Sequence, residues 1–229
     1  MSQLASSPYY KDSGRIPLAS RLSYGVRKRI FAFFMDAMAP SSEVRVLDIG
    51  VTGDVTFRES NFFEQLYPYK DRIVCVGAEN GAHLEGVYPG LRFIPVQPGQ
   101  PLPFRDREFD LVFSNAVLEH VGGRDSQRAF VAEACRVGKR VFIVTPNRWF
   151  PVEHHTGVPL LHYLAPSLYR WLLRRTALEY WSHEANLNLL TRRSLRELFP
   201  ARYPVEVKRT GVGFGAFRSN LAAFTAGRA

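Results

Sequence analysis

Two groups in the first half of the chain have the types and the separation needed to bind a nucleoside. The loop VLDIGVTGD at residues 46–54 ends a β-branched run and carries Asp48 and Gly50. Glycine has no side chain, so a ligand can approach the backbone of such a loop closely. Glu79 stands 29 residues after Gly50, at the end of the next apolar run. A carboxylate there can accept hydrogen bonds from both hydroxyls of a ribose.

Each of these two signals also has a purely structural explanation. A glycine-containing loop is often only a tight turn, and an acidic residue after a strand often caps the following helix. The combination of both at this spacing is more informative than either alone. It favours a nucleoside site at the ends of the first two strands.

A third motif, LPFRDREFDLVFSNAVLEHV, occupies residues 102–121. Together with the Asp48 and Gly50 loop and with Glu79, this run resembles the class I methyltransferases, including those that C-methylate quinones. The resemblance covers residues 44–146. It implies an α/β, Rossmann-like, doubly wound and mostly parallel seven-stranded sheet whose last strand is antiparallel. It also implies S-adenosylmethionine as cofactor and methyl transfer as the reaction.

The resemblance assigns a role to each matching residue. Asp48 and Gly50 match the first cofactor motif of the family, and Glu79 matches its ribose-binding acid. Three further residues fall in the strand-four motif that flanks the methionine part of the donor: Ser114, Asn115 and His120.

Two departures from the family pattern concern the cofactor site. Thr52 stands where the family usually has a glycine, and Pro98 stands where it usually has an aspartate that contacts the adenine. The neighbouring Gln97 has an amide that can contact the adenine amino group instead. If it does not, donor affinity is weakened, and a catalytically silent donor-binding protein becomes an alternative.

The segment NRWFPVEHHTGVPLLHYLAP, residues 147–166, follows the fifth predicted strand. Ligands of open α/β sheets bind beyond the carboxyl ends of the strands, so this segment is predicted to cover the acceptor. Its histidines and glutamate can accept a proton near neutral pH. His155 is the predicted base or acceptor-orienting group, followed by Glu153 and His120. The alternative is that the histidines only hold the loop in place, and no metal site is predicted because the ligand spacing is unfamiliar.

The elements that must position these groups alternate between strands and helices. Near-continuous apolar runs with short connections are typical of a parallel sheet covered by helices on both faces. Five such strands are predicted: VRVLDIG, RIVCVGAEN, LRFIPV, FDLVFSNAV and KRVFIVTPN. Two more strands, PVEVKRTGV and GAFRSNLAAFTA, are predicted to close the chain.

Helices are predicted before, between and after these strands. The first spans residues 20–39, ended by Pro40, after a loosely held arm over residues 1–19. Others cover residues 59–68 and 124–138, the latter with Gly138 as C-cap. Residues 165–181 are predicted to form one helix, and Thr191 is the predicted N-cap of the last.

Three regions follow from this pattern. Residues 1–40 form the N-terminal arm and helix, and residues 41–147 form the cofactor-binding half of the domain. Residues 148–229 supply the acceptor-covering loop and helices and the final strands of the same domain.

The net charge of +9 is carried entirely by the C-terminal part of the chain. Residues 138–229 contain 14 Lys and Arg against 5 Asp and Glu. Such an excess favours a phosphorylated substrate, an anionic membrane surface or nucleic acid, although it also describes an ordinary solvated surface. This region has no recognisable RNA-binding motif, which counts against nucleic acid.

One predicted helix suits a membrane surface as well as a core. In SLYRWLLRRTALEYW, Leu168 and Trp171 lie near Arg174 and Arg175. Such a stripe either faces a membrane or packs into the core beneath a solvated arginine face.

The remaining composition indicates an ordinary cytoplasmic protein. Cys75 and Cys135 lie in apolar stretches and are predicted to be reduced core residues. The N-terminus lacks the apolar run of a secretion signal.

The motifs together predict methyl transfer from S-adenosylmethionine to a small-molecule or glycoconjugate acceptor. The segment 147–166 also resembles part of bacterial methyltransferases from cell-surface glycan loci. The alternatives are a nucleic-acid-binding methyltransferase, an RNA-binding module, and the silent donor-binding protein.

Overall fold

A seven-stranded mixed sheet forms the centre of the molecule. The computed structural model describes residues 18–225, with only the backbone described for residues 18–21, so the predicted arm lies largely outside the described residues. The strand order is β3-β2-β1-β4-β5-β7-β6. The strands are β1 Val46–Ile49, β2 Ile73–Gly77, β3 Arg92–Pro95, β4 Phe109–Asn115, β5 Gly138–Pro146, β6 Val205–Thr210 and β7 Asn220–Thr225.

The pairing of these strands confirms the predicted Rossmann-like fold. Strands β1 to β5 pair in parallel, whereas β7 runs antiparallel to both β5 and β6. The chain leaves β1 towards β2 and β3 on one side and returns to β4 on the other side. This change of direction opens a crevice at the carboxyl ends of β1 and β4, which is where ligands of such sheets bind.

Six α-helices flank the sheet among the described residues: α1 Leu18–Met38, α2 Phe62–Leu66, α3 Leu84–Val87, α4 Arg124–Val137, α5 Pro166–Leu173 and α6 Arg192–Arg196. The predicted N-cap of α6 is confirmed, because the Thr191 side chain accepts a hydrogen bond from the Ser194 amide. None of the described helices is long and apolar enough to cross a bilayer.

One helix prediction is wrong in detail. The helix predicted for residues 165–181 ends at Leu173, and a 3₁₀ turn over Glu179–Ser182 follows it. The Thr176 hydroxyl donates to the Leu173 carbonyl and accepts from the Leu178 amide, so it competes with the backbone hydrogen bonds of a continuing helix. The predicted C-cap of α4 is confirmed: Gly138 follows the helix, its amide donates to the Ala134 carbonyl, and with an extended φ of −106° it also begins β5.

The core lies on both faces of the sheet. Helices α1 and α2 cover one face, where the rings of Phe63 and Phe113 stack with centroids 4.2 Å apart. Helices α4 and α6 cover the opposite face with a separate apolar cluster. Both cysteines are buried with free thiols, as the sequence predicts. This packing holds the carboxyl ends of β1, β2 and β4 rigidly beside each other.

Candidate functional site

The loop after β1 makes a sharp turn at Gly50. Its φ is +98°, a conformation that side-chain-bearing residues rarely adopt, and its amide donates to the Val76 carbonyl at 2.8 Å. A side chain at this position would also collide with the Val117 side chain, which follows β4. The glycine is therefore required by the fold itself, in addition to any ligand.

Glu79, the predicted ribose-binding acid, is hydrogen-bonded to this loop through Thr52, one of the two residues that depart from the family pattern. The Thr52 hydroxyl donates to the exposed Glu79 carboxylate at 2.9 Å. The His83 ring donates to the Gly53 carbonyl at 2.8 Å, which fixes the two loops against each other. Thr52 thus orients the carboxylate that the sequence assigns to the ribose.

Gln97 lies at the same edge of the sheet as Glu79. The amide of the preceding residue, Val96, donates to the Gly77 carbonyl at the end of β2. Gln97 is exposed in the turn that follows β3. Its side chain is accessible to a ligand bound there.

The two predicted residues at the end of β4 have different surroundings. Ser114 is buried, and its hydroxyl donates to the Ile49 carbonyl, so it fastens β4 to β1. The Asn115 side chain accepts from the Arg27 guanidinium of α1 at 2.8 Å. Arg27, which also lies over the Phe62 ring, brings a positive charge to the crevice that the sequence did not reveal.

Asp48 is buried beneath this loop beside a second carboxyl group. Burial raises its pKa well above the usual value, and the adjacent Glu64 carboxyl raises it further. Glu64 of α2 is also buried and accepts a hydrogen bond from the Cys75 thiol. A small cavity bounded by Asp48, Gly50 and Asn115 opens between these carboxyls and the crevice. The raised pKa favours the protonated form of Asp48 at the floor of the site.

This pair makes Glu64→Gln a stabilising substitution. A carboxyl whose folded pKa is raised costs stability once the pH exceeds its unfolded value of about 3.8. The substitution removes the Glu64 contribution and retains the acceptor for Cys75. We expect the melting temperature to rise at pH 8, by about 2–4 °C for each kcal/mol of repulsion removed, and to rise much less at pH 4. Glu43→Gln, at an exposed surface pair, is the control; an equal gain at both pH values would contradict a raised pKa of Asp48.

The segment after β5 contains a carboxylate–imidazole pair. Nδ1 of His155 lies 2.6 Å from the buried Glu153 carboxylate, which also accepts the backbone amides of His155 and Thr156. Burial alone would raise the pKa of Glu153, but these hydrogen bonds and the charge of His155 lower it to about 2. An ionised carboxylate is a pure acceptor, so Nδ1 of His155 carries a proton, and whenever the ring is neutral its lone pair lies on Nε2.

The predicted residue His120 lies directly against this pair. The rings of His120 and His155 meet edge to face with centroids 4.7 Å apart, and Trp181 borders both. Nδ1 of His120 donates to the Asn186 carbonyl at 2.6 Å. The structure thus brings together His120, Glu153 and His155, which the sequence could only propose separately.

Glu119 completes the cluster and was not predicted. It is fully buried, and one carboxylate oxygen accepts from the Thr145 hydroxyl. Its other oxygen makes no hydrogen bond within residues 18–225 and lies 3.8 Å from Nε2 of His120. Atoms of Glu119, His120 and His155 lie within 4.8 Å of one another, so the set could hold a divalent cation. The sequence predicted no metal site, because these residues come from two distant segments.

His162 has the structural role that was the alternative for the loop histidines. It is buried, and its Nε2 donates to the Phe150 carbonyl at 2.9 Å. Burial lowers its pKa, which favours the neutral ring. It pins the segment that carries Glu153 and His155.

A comparison with protein families decides the class of this site. Residues 78–141, from the end of β2 into β5, match the model of a methyltransferase domain. The chain therefore contains a methyltransferase domain. S-adenosylmethionine is its cofactor, as the resemblance of the three sequence motifs implies. A search of curated proteins finds no match to this methyltransferase.

Solved structures share the fold of this methyltransferase over nearly its whole length. The PH0226 protein from Pyrococcus horikoshii OT3 is 16% identical with a TM-score of 0.59, covering 97% of each chain. A SAM-dependent methyltransferase from Thermotoga maritima, described as a possible histamine N-methyltransferase, is 15% identical with a TM-score of 0.55, covering 93% of this chain and 94% of its own. The N-methyltransferase NodS from Bradyrhizobium japonicum WM9, in complex with S-adenosyl-L-homocysteine, is 13% identical with a TM-score of 0.53, covering 87% and 85%. At these identities the likeness concerns the fold.

Proposed function

We propose that this methyltransferase transfers the methyl group to a small-molecule or glycoconjugate acceptor that must lose a proton. The observation that carries the proposal is the Glu153–His155 pair, held at the carboxyl edge of the sheet by the segment after β5. A proton acceptor in a fixed tautomer next to the donor crevice is suited to an acceptor hydroxyl or amine.

The donor is proposed to lie across the carboxyl ends of β1, β2 and β4. Glu79, oriented by Thr52, would hold the ribose hydroxyls, and Gln97 would contact the adenine amino group. The methionine part would lie near Gly50 and Asn115, where Arg27 adds a positive charge suited to its carboxylate. The occurrence of S-adenosyl-L-homocysteine in NodS supports a donor in this crevice of the shared fold.

Methyl transfer is an in-line displacement at the sulfonium of the donor. The bond between the methyl carbon and the acceptor oxygen or nitrogen forms while the bond from carbon to sulfur breaks, which leaves a neutral thioether. The acceptor proton passes to Nε2 of His155, and the ionised Glu153 stabilises the resulting imidazolium. Trp181 borders the pair and excludes water from it.

The acceptor class is tested with donor that carries a radiolabelled methyl group. The protein is incubated separately with panels of glycosides, phenols, small amines and total RNA, and label in each acceptor fraction is measured. We expect transfer to a member of the first three panels. Transfer to RNA alone would replace this proposal with the nucleic-acid alternative.

Glu79→Ala is expected to weaken donor binding without affecting the histidine cluster. Losing hydrogen bonds to a charged group costs about 1.5–3 kcal/mol, which corresponds to a roughly ten- to hundredfold higher Kd for S-adenosylmethionine. Calorimetry measures that Kd. Thr52→Val should give a smaller loss, because it leaves the carboxylate present but less well oriented.

The matched control is Glu43→Ala, which removes an exposed carboxylate that precedes β1 at the other end of the sheet. Its Kd should equal that of the unaltered protein. A Glu79→Ala protein with an unchanged Kd would remove this residue from the donor site.

A further inference from the structure

Five of the large apolar side chains exposed on the C-terminal part of the molecule lie on adjoining segments: Trp149, Leu168, Trp171, Phe214 and Phe217. We call this set the apolar rim. Phe214 is 78% exposed at the tip of the loop between β6 and β7, and Trp171 is 48% exposed on α5. The core alternative considered for α5 therefore fails for Leu168 and Trp171, because Tyr169 and Leu173 are the residues of this helix that are buried.

The segments that carry the rim are joined to one another. The Asn147 side chain accepts a hydrogen bond from the amide of Trp149 and donates to the carbonyls of Ala216 and Arg218. It therefore ties the start of the segment 147–166, which we call the lid, to the β6–β7 loop. Trp149 also lines a cavity together with Pro166, the first residue of α5. The rim thus spans three adjoining segments.

Exposed arginines lie beside these apolar side chains. Arg174 and Arg175 follow α5, and the Arg175 guanidinium stacks 3.6 Å above the Trp171 ring. Arg209, near the end of β6, and Arg218 flank the loop that carries Phe214 and Phe217. These residues belong to the region that carries the whole net charge of +9.

We propose that the apolar rim docks this methyltransferase on an anionic lipid surface. Aromatic side chains partition into the boundary between headgroups and acyl chains, while neighbouring arginines attract anionic headgroups. A second copy of the chain is a poorer occupant, since two equally cationic rims repel each other. Docking there would bring the segment 147–166, which carries the Glu153–His155 pair, close to acceptors held at the membrane. The docking itself does not depend on which acceptor is methylated.

The proposal is tested by sedimentation with phospholipid vesicles. Vesicles of phosphatidylcholine alone are compared with vesicles that contain phosphatidylglycerol as well, each at low and high NaCl. We expect the full chain to co-sediment with the anionic vesicles and to be released by salt. A fluorescent single-stranded RNA is titrated in parallel. Binding to RNA with no binding to either vesicle would overturn the proposal.

Two variants separate the apolar and charged contributions. R174Q with R175Q should weaken vesicle binding by roughly fivefold for each arginine. Phe214→Ser with Phe217→Ser should weaken it by roughly tenfold or more, because each ring loses its burial in the interface. The matched control is Val87→Ser, which removes a 47% exposed apolar side chain from α3.

Retained donor binding in every variant verifies that the fold is intact. If both rim variants bind anionic vesicles as tightly as the Val87→Ser control, the rim is not the docking surface. If the unaltered protein binds neither vesicle, the proposal is wrong whatever the acceptor proves to be.

Discussion

His155→Ala is expected to lower the turnover of methyl transfer by about 10²- to 10⁴-fold, the usual contribution of general acid–base catalysis. The affinity for S-adenosylmethionine should remain unchanged, because His155 contacts Glu153 and His120 and lies outside the Asp48–Glu79 loops. The single-turnover rate, the donor Kd and the melting temperature are measured on the same preparation. A His155→Ala protein that methylates at the native rate would exclude this residue from the mechanism.

The adjacent His154 provides the matched control. His154→Ala removes the ring that stacks on Phe150 and leaves the hydrogen bond between His155 and Glu153 in place. If both variants lose turnover and thermal stability together, the histidines only hold the lid. Treating the unaltered protein with a chelator distinguishes a base from a metal ligand. If His155 is a base, we expect the turnover to stay at its native value after exhaustive chelation. A turnover that is lost and then restored by Zn²⁺ or Mn²⁺ would instead make His155 a ligand in a cation site with Glu119 and His120.

The sheet and the donor loops could be predicted because their signals are local. Strands β1, β2, β4 and β5 are short apolar runs that are mostly buried on both faces, so each can be recognised by itself, whereas the edge strand β3 is partly exposed. Asp48 lies in β1 and Glu79 follows β2, which pairs directly with β1, so both residues lie towards the same edge of the sheet. The family resemblance then supplies the order of the strands.

The rest of the site depends on contacts between distant segments. Glu119 lies beside the predicted His120, yet only its burial against Thr145 and His120 distinguishes it from an exposed acid on a turn. Arg27 belongs to a helix whose apolar spacing indicates packing alone, and its link to Asn115 spans 88 residues. Contacts of this kind, between residues far apart in sequence, leave no signal in the local sequence pattern.

The lid and helix α5 show a second way in which local sequence patterns fail to predict structure. Leu168 and Trp171 occupy helical positions that could equally be buried or exposed, and the choice is made by what packs beside α5. His155 and His162 are similar in sequence context, but one joins the polar cluster while the other donates to the Phe150 carbonyl. Residue type therefore indicated the chemistry available in the segment without indicating which histidine performs it.

Gly50→Ala is expected to reduce donor binding below detection and to destabilise the protein. The φ of +98° strains any side-chain-bearing residue, at a cost of about 1–3 kcal/mol. The added methyl group would also collide with the Val117 side chain, which forces the β1 loop away from the end of β4. Urea denaturation measures the free energy of unfolding, and calorimetry measures the donor Kd.

The double variant Gly50→Ala with Val117→Ala separates the two roles of the glycine. Removing the Val117 branches relieves the collision, so part of the lost unfolding free energy should return, while the strain from φ remains. Donor binding should stay absent, because the loop backbone itself must lie against the ligand. Val117→Ala alone should bind the donor normally and serves as the control. If the double variant recovers the native Kd, Gly50 only makes room for Val117, and the donor does not require a bare backbone at this turn.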